Sequence, residues 1–206
     1  MLAPGSVRWI AVPAAVGAFG FGVLAVVPVL WAVVLGFAGA AMAGFLAAFF
    51  RDPERRIGPG LVSAADGRIR AIDVEGDRLR ISVFMQVTDV HVNRAPLAGT
   101  VAEVGDAGRG HLPAYRPEAS SNRSRSYRME TPSGPVEIVQ VTGYVARRLV
   151  SYVRPGATLA KGDRFGMIAF GSRVDVLVPA SRWRPTVRLG ERVRAGASTI
   201  AEEIPP

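Results

Sequence analysis

With 206 residues, 49% of them hydrophobic, and a mean hydropathy of +0.24, this chain has room for one compact domain and an apolar appendage. It has no cysteine, which excludes disulfides, thiolate metal sites and cysteine nucleophiles, and its two histidines, His91 and His111, are too few for a histidine-rich metal site. The net charge is +8 and every basic residue except Lys161 is arginine. Such a chain seeks a polyanion; with aromatic residues at 8% and no nucleic-acid-binding motif, the anionic face of a bilayer is favoured over nucleic acid.

From Trp9 to Phe50 there is no Asp, Glu, Lys, Arg or His. One membrane crossing takes roughly 20 residues, so the run is about twice that length. Pro28 stands near its middle. Two arrangements fit: a helical hairpin that crosses twice, or one span preceded by an interfacial piece. Arg8 precedes the run and Arg51, Arg55 and Arg56 follow it. Basic flanks stay on the cytoplasmic side, which puts both ends there and favours the hairpin. A signal peptide has an apolar core of only about 7–15 residues, and a buried core helix would show a polar face. Residues 1–50 therefore read as an anchor, with the remainder on the cytoplasmic side of the cell membrane.

Beyond Phe50 the pattern changes to short alternating stretches. Arg68–Ile72, Arg78–Phe84, Val136–Val141 and Arg173–Val178 each alternate with period two, which predicts half-buried strands. Asp66-Gly67, Glu75-Gly76-Asp77 and Pro155-Gly156 mark turns between them. Val145–Val153 is the one stretch with helical character, and the Ser- and Arg-rich Ser120–Arg128 reads as a solvated loop, with contact to phosphate headgroups as the other reading. His111 has no evident partner and reads as structural. Residues 51–206 thus form one mostly-β domain. Gly156–Gly162 and Gly190–Gly196 both follow the pattern G-x-x-(L/V)-x-x-G, a spacing similar to the hairpins of barrel-sandwich domains of the lipoyl and biotinyl type, where glycine permits turns at positive φ. The likeness concerns architecture only, because Lys161 stands in the wrong place to carry a cofactor.

Four segments, taken in order, carry a more specific likeness: Phe49-Phe50-Arg51-Asp52-Pro53-Glu54-Arg55, Ser63-Ala64-Ala65-Asp66-Gly67-Arg68-Ile69, Phe84 to Pro96 with His91-Val92-Asn93-Arg94 inside it, and Phe170-Gly171-Ser172-Arg173-Val174. Their order and spacing behind a membrane anchor resemble the short form of the phosphatidylserine decarboxylase proenzymes, over nearly the whole chain. The resemblance implies self-cleavage between Gly171 and Ser172 into residues 1–171 and 172–206, which stay together as a heterodimer. It also implies a covalent pyruvoyl group made from Ser172, with neither metal nor pyridoxal phosphate. That group would form a Schiff base with phosphatidylserine in an anionic membrane and release carbon dioxide and phosphatidylethanolamine. Higher oligomers are left open.

The residue types suit this chemistry. A serine hydroxyl attacks the carbonyl before it, and Gly171 has no side chain to obstruct the attack. A hydroxyl is a weak nucleophile near neutrality and needs a base that a third group orients. Ser172, His91 and Asp66 supply the three roles of a Ser-His-Asp triad, and the resemblance assigns the same three. His91 is also the candidate acid that reprotonates the carbon losing carbon dioxide. Longer members of the family carry a second histidine where this chain has Arg94, so His91 alone would serve both steps, unless a solvent molecule helps. Two other classes compete. A tethered barrel-sandwich binding module explains the anchor and repeats but not the Asp66, His91 and Gly171-Ser172 order. A serine hydrolase using the same residues lacks a G-x-S-x-G elbow.

Overall fold

The computed structural model describes residues 6–22, 29–110, 121–143, 148–169 and 172–205. The chain divides into two compact units, Met1–Pro53 and Glu54–Pro206.

The first unit is a pair of helices, α1 (Val7–Gly22) and α2 (Val29–Phe49). Beyond Arg8 in the first turn of α1 both are apolar all round, with Phe19, Trp31 and Phe37 exposed by 73%, 63% and 66%, unlike the helices of a water-soluble core. Glycines bring the backbones together: a Cβ on Gly39 would lie 2.4 Å from the Gly17 nitrogen, and one on Gly20 would lie 2.8 Å from the Gly36 nitrogen. Small residues at helix contacts are how helices associate in lipid, where no hydrophobic effect drives them together. Because Gly17 meets Gly39 and Gly20 meets Gly36, the helices run antiparallel. The connection that contains Pro28 lies outside the described residues. The 21 residues of α2 span about 31 Å at ~1.5 Å per residue, matching a hydrocarbon core of ~30 Å. The 16 residues of α1 reach only about 24 Å. Among the described helices, α2 alone is long and apolar enough to cross a membrane, over Trp31–Phe49.

The second unit is mostly β and barrel-sandwich-like. Its described strands are β1 (Leu61–Val62), β2 (Gly67–Glu75), β3 (Arg78–Met85), β4 (Val92–Arg94), β5 (Gly99–Ala107), β6 (Ser124–Thr131) and β7 (Gly134–Thr142). They continue with β8 (Arg148–Ser151), β9 (Thr158–Leu159), β10 (Arg164–Ala169), β11 (Ser172–Pro179), β12 (Trp183–Pro185), β13 (Arg192–Val193) and β14 (Thr199–Glu203). A large sheet has the order β13-β2-β3-β11-β7-β6-β5-β9, and two small ones have the orders β1-β14-β12 and β4-β10-β8. The alternation in the sequence now has its cause. Leu79, Ile81 and Val83 of β3, Val136 and Ile138 of β7, and Val174, Val176 and Val178 of β11 all point into one buried core. Each such side chain contributes about 1.5–3 kcal/mol by leaving water.

The two glycine repeats stand at opposite edges of the large sheet, with β9 inside the first and β13 inside the second. Gly156, Gly162, Gly190 and Gly196 all take positive φ, as that spacing required. Two expectations are corrected. Arg148–Ser151 is strand β8, not helix: it pairs with β10, which buries Leu149. Residues 144–147 lie outside the described set, as does His111. Ser124–Arg128 is part of strand β6 rather than a loop, because Tyr127 and Met129 alternate inward and hold the polar residues between them in register.

Candidate active site

Ser172 is the first residue of β11, the strand between β3 and β7, where it pairs with Met85 on one side and Thr142 on the other. Its side chain is fully buried, and its hydroxyl donates to the Met85 sulfur at 3.2 Å. Phe170 and Gly171 lie outside the described residues; they join β10, in a small sheet, to β11, in the large one. The peptide bond of interest therefore stands where the chain passes from one sheet to another.

His91 precedes β4 and is 1% exposed. Its carbonyl accepts from the N–H of Ile168 on β10 at 3.2 Å, so it lies beside the strand that leads to Gly171. Its Nδ1 is 2.8 Å from the Asp89 carbonyl oxygen. A carbonyl can only accept, so Nδ1 carries a proton, and in the neutral ring Nε2 holds the lone pair. The turn before it is held in turn: the buried carboxylate of Asp89 accepts from the Gln86 N–H at 2.8 Å and pairs with Arg192 at 3.0 Å.

Asp66 stands directly before β2. Its Oδ1 accepts from the Ala195 N–H at 2.8 Å, and its Oδ2 pairs with Arg55 at 2.8 Å, both side chains being nearly closed to solvent. Arg68 and Arg173 are both in register with Phe84, so the start of β2 and the start of β11 are two strand spacings apart, about 10 Å. The Arg94 N–H donates to the Ala64 carbonyl at 2.9 Å, tying the Asp66 loop to the strand after His91. The fold thus brings all three candidate residues to one end of the large sheet. The hydrogen bonds described for Asp66 run to Arg55 and Ala195, and that of His91 Nδ1 runs to a backbone carbonyl. Gly67, the residue after Asp66, has no alternative: a Cβ there would meet the Phe84 carbonyl oxygen at 2.1 Å.

A buried polar chain that motif reading missed lies beneath Ser172. Tyr127 donates to Gln140 Oε1 at 3.2 Å, Gln140 Nε2 donates to Asn93 Oδ1 at 2.7 Å, and Asn93 Nδ2 lies 3.8 Å from the Met85 sulfur that receives Ser172. Burial pushes the Tyr127 phenol above its ordinary range, against the pull of its hydrogen bonds and of Arg125. Gly166 makes room for this chain, since a Cβ there would lie 3.1 Å from the Gln140 amide and 2.7 Å from the Val150 carbonyl. A signal was available: Gln140 occupies the inward slot that Val136 and Ile138 set up along β7. Arg94 is buried and donates to the Gly162 carbonyl at 3.1 Å, a bond into the first glycine repeat.

Comparison with known proteins agrees with the motif order. The profile described as phosphatidylserine decarboxylase matches residues 42–201. A phosphatidylserine decarboxylase proenzyme of Solibacter usitatus is 45% identical over 159 residues, 76% of this chain and 78% of the relative. One of Streptomyces avermitilis is 42% identical over 162 residues, 78% of this chain and 75% of the relative. A putative archaetidylserine decarboxylase proenzyme of Methanosarcina barkeri is 41% identical over 164 residues, 78% of each. With buried Ser172 at a sheet crossing, His91 and Asp66 at the same sheet end, and this extent of similarity, the chain belongs to the phosphatidylserine decarboxylase family.

Proposed function

We propose that this chain is a proenzyme that cuts itself between Gly171 and Ser172, and that the product decarboxylates phosphatidylserine to phosphatidylethanolamine. The observation that carries the reading is the placement of Ser172: wholly buried, at the head of a central strand, directly after the passage from one sheet to another.

In the cut, Ser172 Oγ attacks the Gly171 carbonyl and gives its proton to His91 Nε2. His91 passes that proton to the amide nitrogen as the Gly171 C–N bond breaks, so the peptide bond becomes an ester with a free amine at residue 172. Loss of the α-proton of residue 172 then expels the Gly171 carboxylate and leaves a dehydroalanine. Water converts this to a keto group and ammonia, so the C-terminal piece ends lighter than a serine-started peptide by one ammonia. His91 is suited to the first transfer because its Nδ1 proton is committed to the Asp89 carbonyl. Asp66 keeps the third role of the triad from the motif order, although its carboxylate is engaged by Arg55 and the Ala195 N–H, and the partner of His91 Nδ1 is the Asp89 carbonyl.

The position suits a pyruvoyl group. Its walls are the Met85 thioether and the Asn93 amide that meets the same sulfur, so a three-carbon keto group there would be kept out of bulk water. Such a group supplies a ketone that takes up the serine amine of the lipid and an electron sink for the departing carbon dioxide. His91 would supply the proton that the substrate α-carbon takes up in place of carbon dioxide. Membrane association rests on the apolar α2, and the cytoplasmic side on the arginines that flank the apolar run.

Intact-mass spectrometry of the purified chain beside a Ser172→Ala variant tests the reading. A blocked fragment starting at residue 172 and lighter by one ammonia is expected from the wild type alone. A single uncut chain in both would leave a tethered binding module instead.

A further inference from the structure

Two short turns at the Ser172 end of the large sheet each hold one apolar side chain out in solvent. Val87, in the turn Gln86–Asp89 after β3, is 46% exposed, and Leu189, in the turn Arg188–Glu191 before β13, is 67% exposed. Neither is free to fold away. In the first turn the Asp89 N–H donates to the Gln86 carbonyl at 2.9 Å, and the Gln86 N–H donates back to the Asp89 carboxylate at 2.8 Å. In the second the Glu191 N–H donates to the Arg188 carbonyl at 3.1 Å and the Arg188 N–H to the Glu191 carboxylate at 3.0 Å. Gly190, at φ +82°, donates its N–H to Ile69 of β2 at 2.8 Å. The Arg192–Asp89 ion pair, at 3.0 Å, fastens one turn to the other.

Charge surrounds these tips. Arg68, Arg188 and Arg192 are exposed, and Arg68 donates to the Gly190 carbonyl at 3.0 Å. The acids of the two turns, Asp89 and Glu191, are both engaged by the turns' own backbone. Single exposed apolar residues are ordinary on a soluble surface. Two of them on rigid, mutually fastened turns, ringed by guanidinium groups, match what enters the boundary between headgroups and acyl chains of an anionic bilayer. Guanidinium groups suit phosphate because they donate two parallel hydrogen bonds to it.

We infer that the β unit docks on a bilayer bearing anionic headgroups by this end, with Val87 and Leu189 in the interface and Arg68, Arg188 and Arg192 on the lipid phosphates. The inference rests on the reading of the chain as an enzyme of a membrane lipid and gives that reading a geometry. The turn that carries Val87 also supplies the carbonyl that holds His91, so docking brings lipid headgroups to the end of the sheet where Ser172 lies.

The chain has no cysteine, so single labels can be placed in the full-length protein without background. Val87→Cys, Leu189→Cys and, as control, Val74→Cys would each carry an environment-sensitive fluorophore. Val74 is 66% exposed but lies near the far end of β2, about 20 Å from its start. The labelled chains would be placed in nanodiscs of phosphatidylcholine with phosphatidylglycerol and spin-labelled acyl chains as quencher. Quenching at 87 and 189, weaker without phosphatidylglycerol and absent at 74, is expected. No quenching at 87 and 189, or equal quenching at 74, overturns the inference. So does energy transfer between copies that ignores the lipid, which would make this face a contact between two chains. A second arm uses Leu189→Asp, for which turnover of vesicle phosphatidylserine should fall roughly tenfold while that of a short-chain soluble analogue is unchanged. An equal fall on both substrates overturns the inference as well. Should neither substrate turn over in the wild type, the proposed activity fails while the quenching arm still decides the docking.

Discussion

Asp66 is placed so that a structural and a catalytic role can be separated. Its pairing with Arg55 is nearly closed to solvent, and removing one partner of such a pair typically costs about 3–5 kcal/mol because a charge stays buried alone. Asp66→Asn should therefore lower the melting temperature and abolish self-cleavage. The double variant Asp66→Asn with Arg55→Met should recover most of the stability but not the cleavage. Cleavage restored along with stability, read by gel and by melting curve, would confine Asp66 to folding. Tyr127 offers a second test, on pH. Burial raises its pKa, so the phenol is neutral in both folded and unfolded chains below about pH 10, the ordinary tyrosine value. Above that the unfolded chain ionises first, and the stability contributed by Tyr127 is lost as pH climbs toward its raised value. Tyr127→Phe should flatten the fall in melting temperature between about pH 9 and 11 relative to the wild type, at the cost of a lost hydrogen bond to Gln140 that does not vary with pH. At this scale the motif residues Ser172, His91 and Asp66 were legible from sequence. The roles of Asp89 and Asn93 were not, and for Gln140 the β7 alternation marks an inward polar residue but not its partner: a carbonyl that orients His91, or an amide that reaches another amide 47 positions away, leaves no local pattern.

Elements were legible where one face is buried against a uniform core. The alternating stretches fall within β2, β3, β7 and β11; β3, β7 and β11 send every second apolar side chain into one core, and β11, as a central strand, also buries Asp175 and Leu177 on its other face. Legibility failed at β6 and β8, whose composition is polar or ambiguous and whose conformation is imposed by neighbours: β6 lies between β5 and β7, and β8 pairs with β10. Tertiary pairing overrides weak local preference in such segments. In the apolar unit the contacts of Gly17 with Gly39 and of Gly20 with Gly36 set α1 and α2 antiparallel, and α1 is the shorter of the two. The proposed hairpin, with both basic flanks cytoplasmic, predicts that Val7→Cys and Glu54→Cys react with a membrane-impermeant maleimide from the same side, in inverted vesicles only. Reaction from opposite faces would mean a single crossing.

At the scale of the whole molecule the proposed cut leaves the fold intact. Residues 172–206 would hold their place through β11 between β3 and β7, β13 on β2, and β14 on β1. Asp66 to Ala195 and Arg192 to Asp89 also bridge the two pieces. Native mass spectrometry should find the two fragments as one complex, separating only in denaturant; free fragments under native conditions would contradict this. Composition and periodicity alone settled that an uncharged apolar run precedes a mostly-β unit, because burial leaves its period in the residues themselves. The order of four short motifs settled the family. Only the tertiary structure decided that Ser172 heads a central strand at the crossing between two sheets, that His91 is oriented by the Asp89 carbonyl, and that Val87 and Leu189 stand on fastened turns at the same end. Those facts depend on pairings between residues far apart in the chain, and no local stretch of sequence encodes a partner that it meets only when folded.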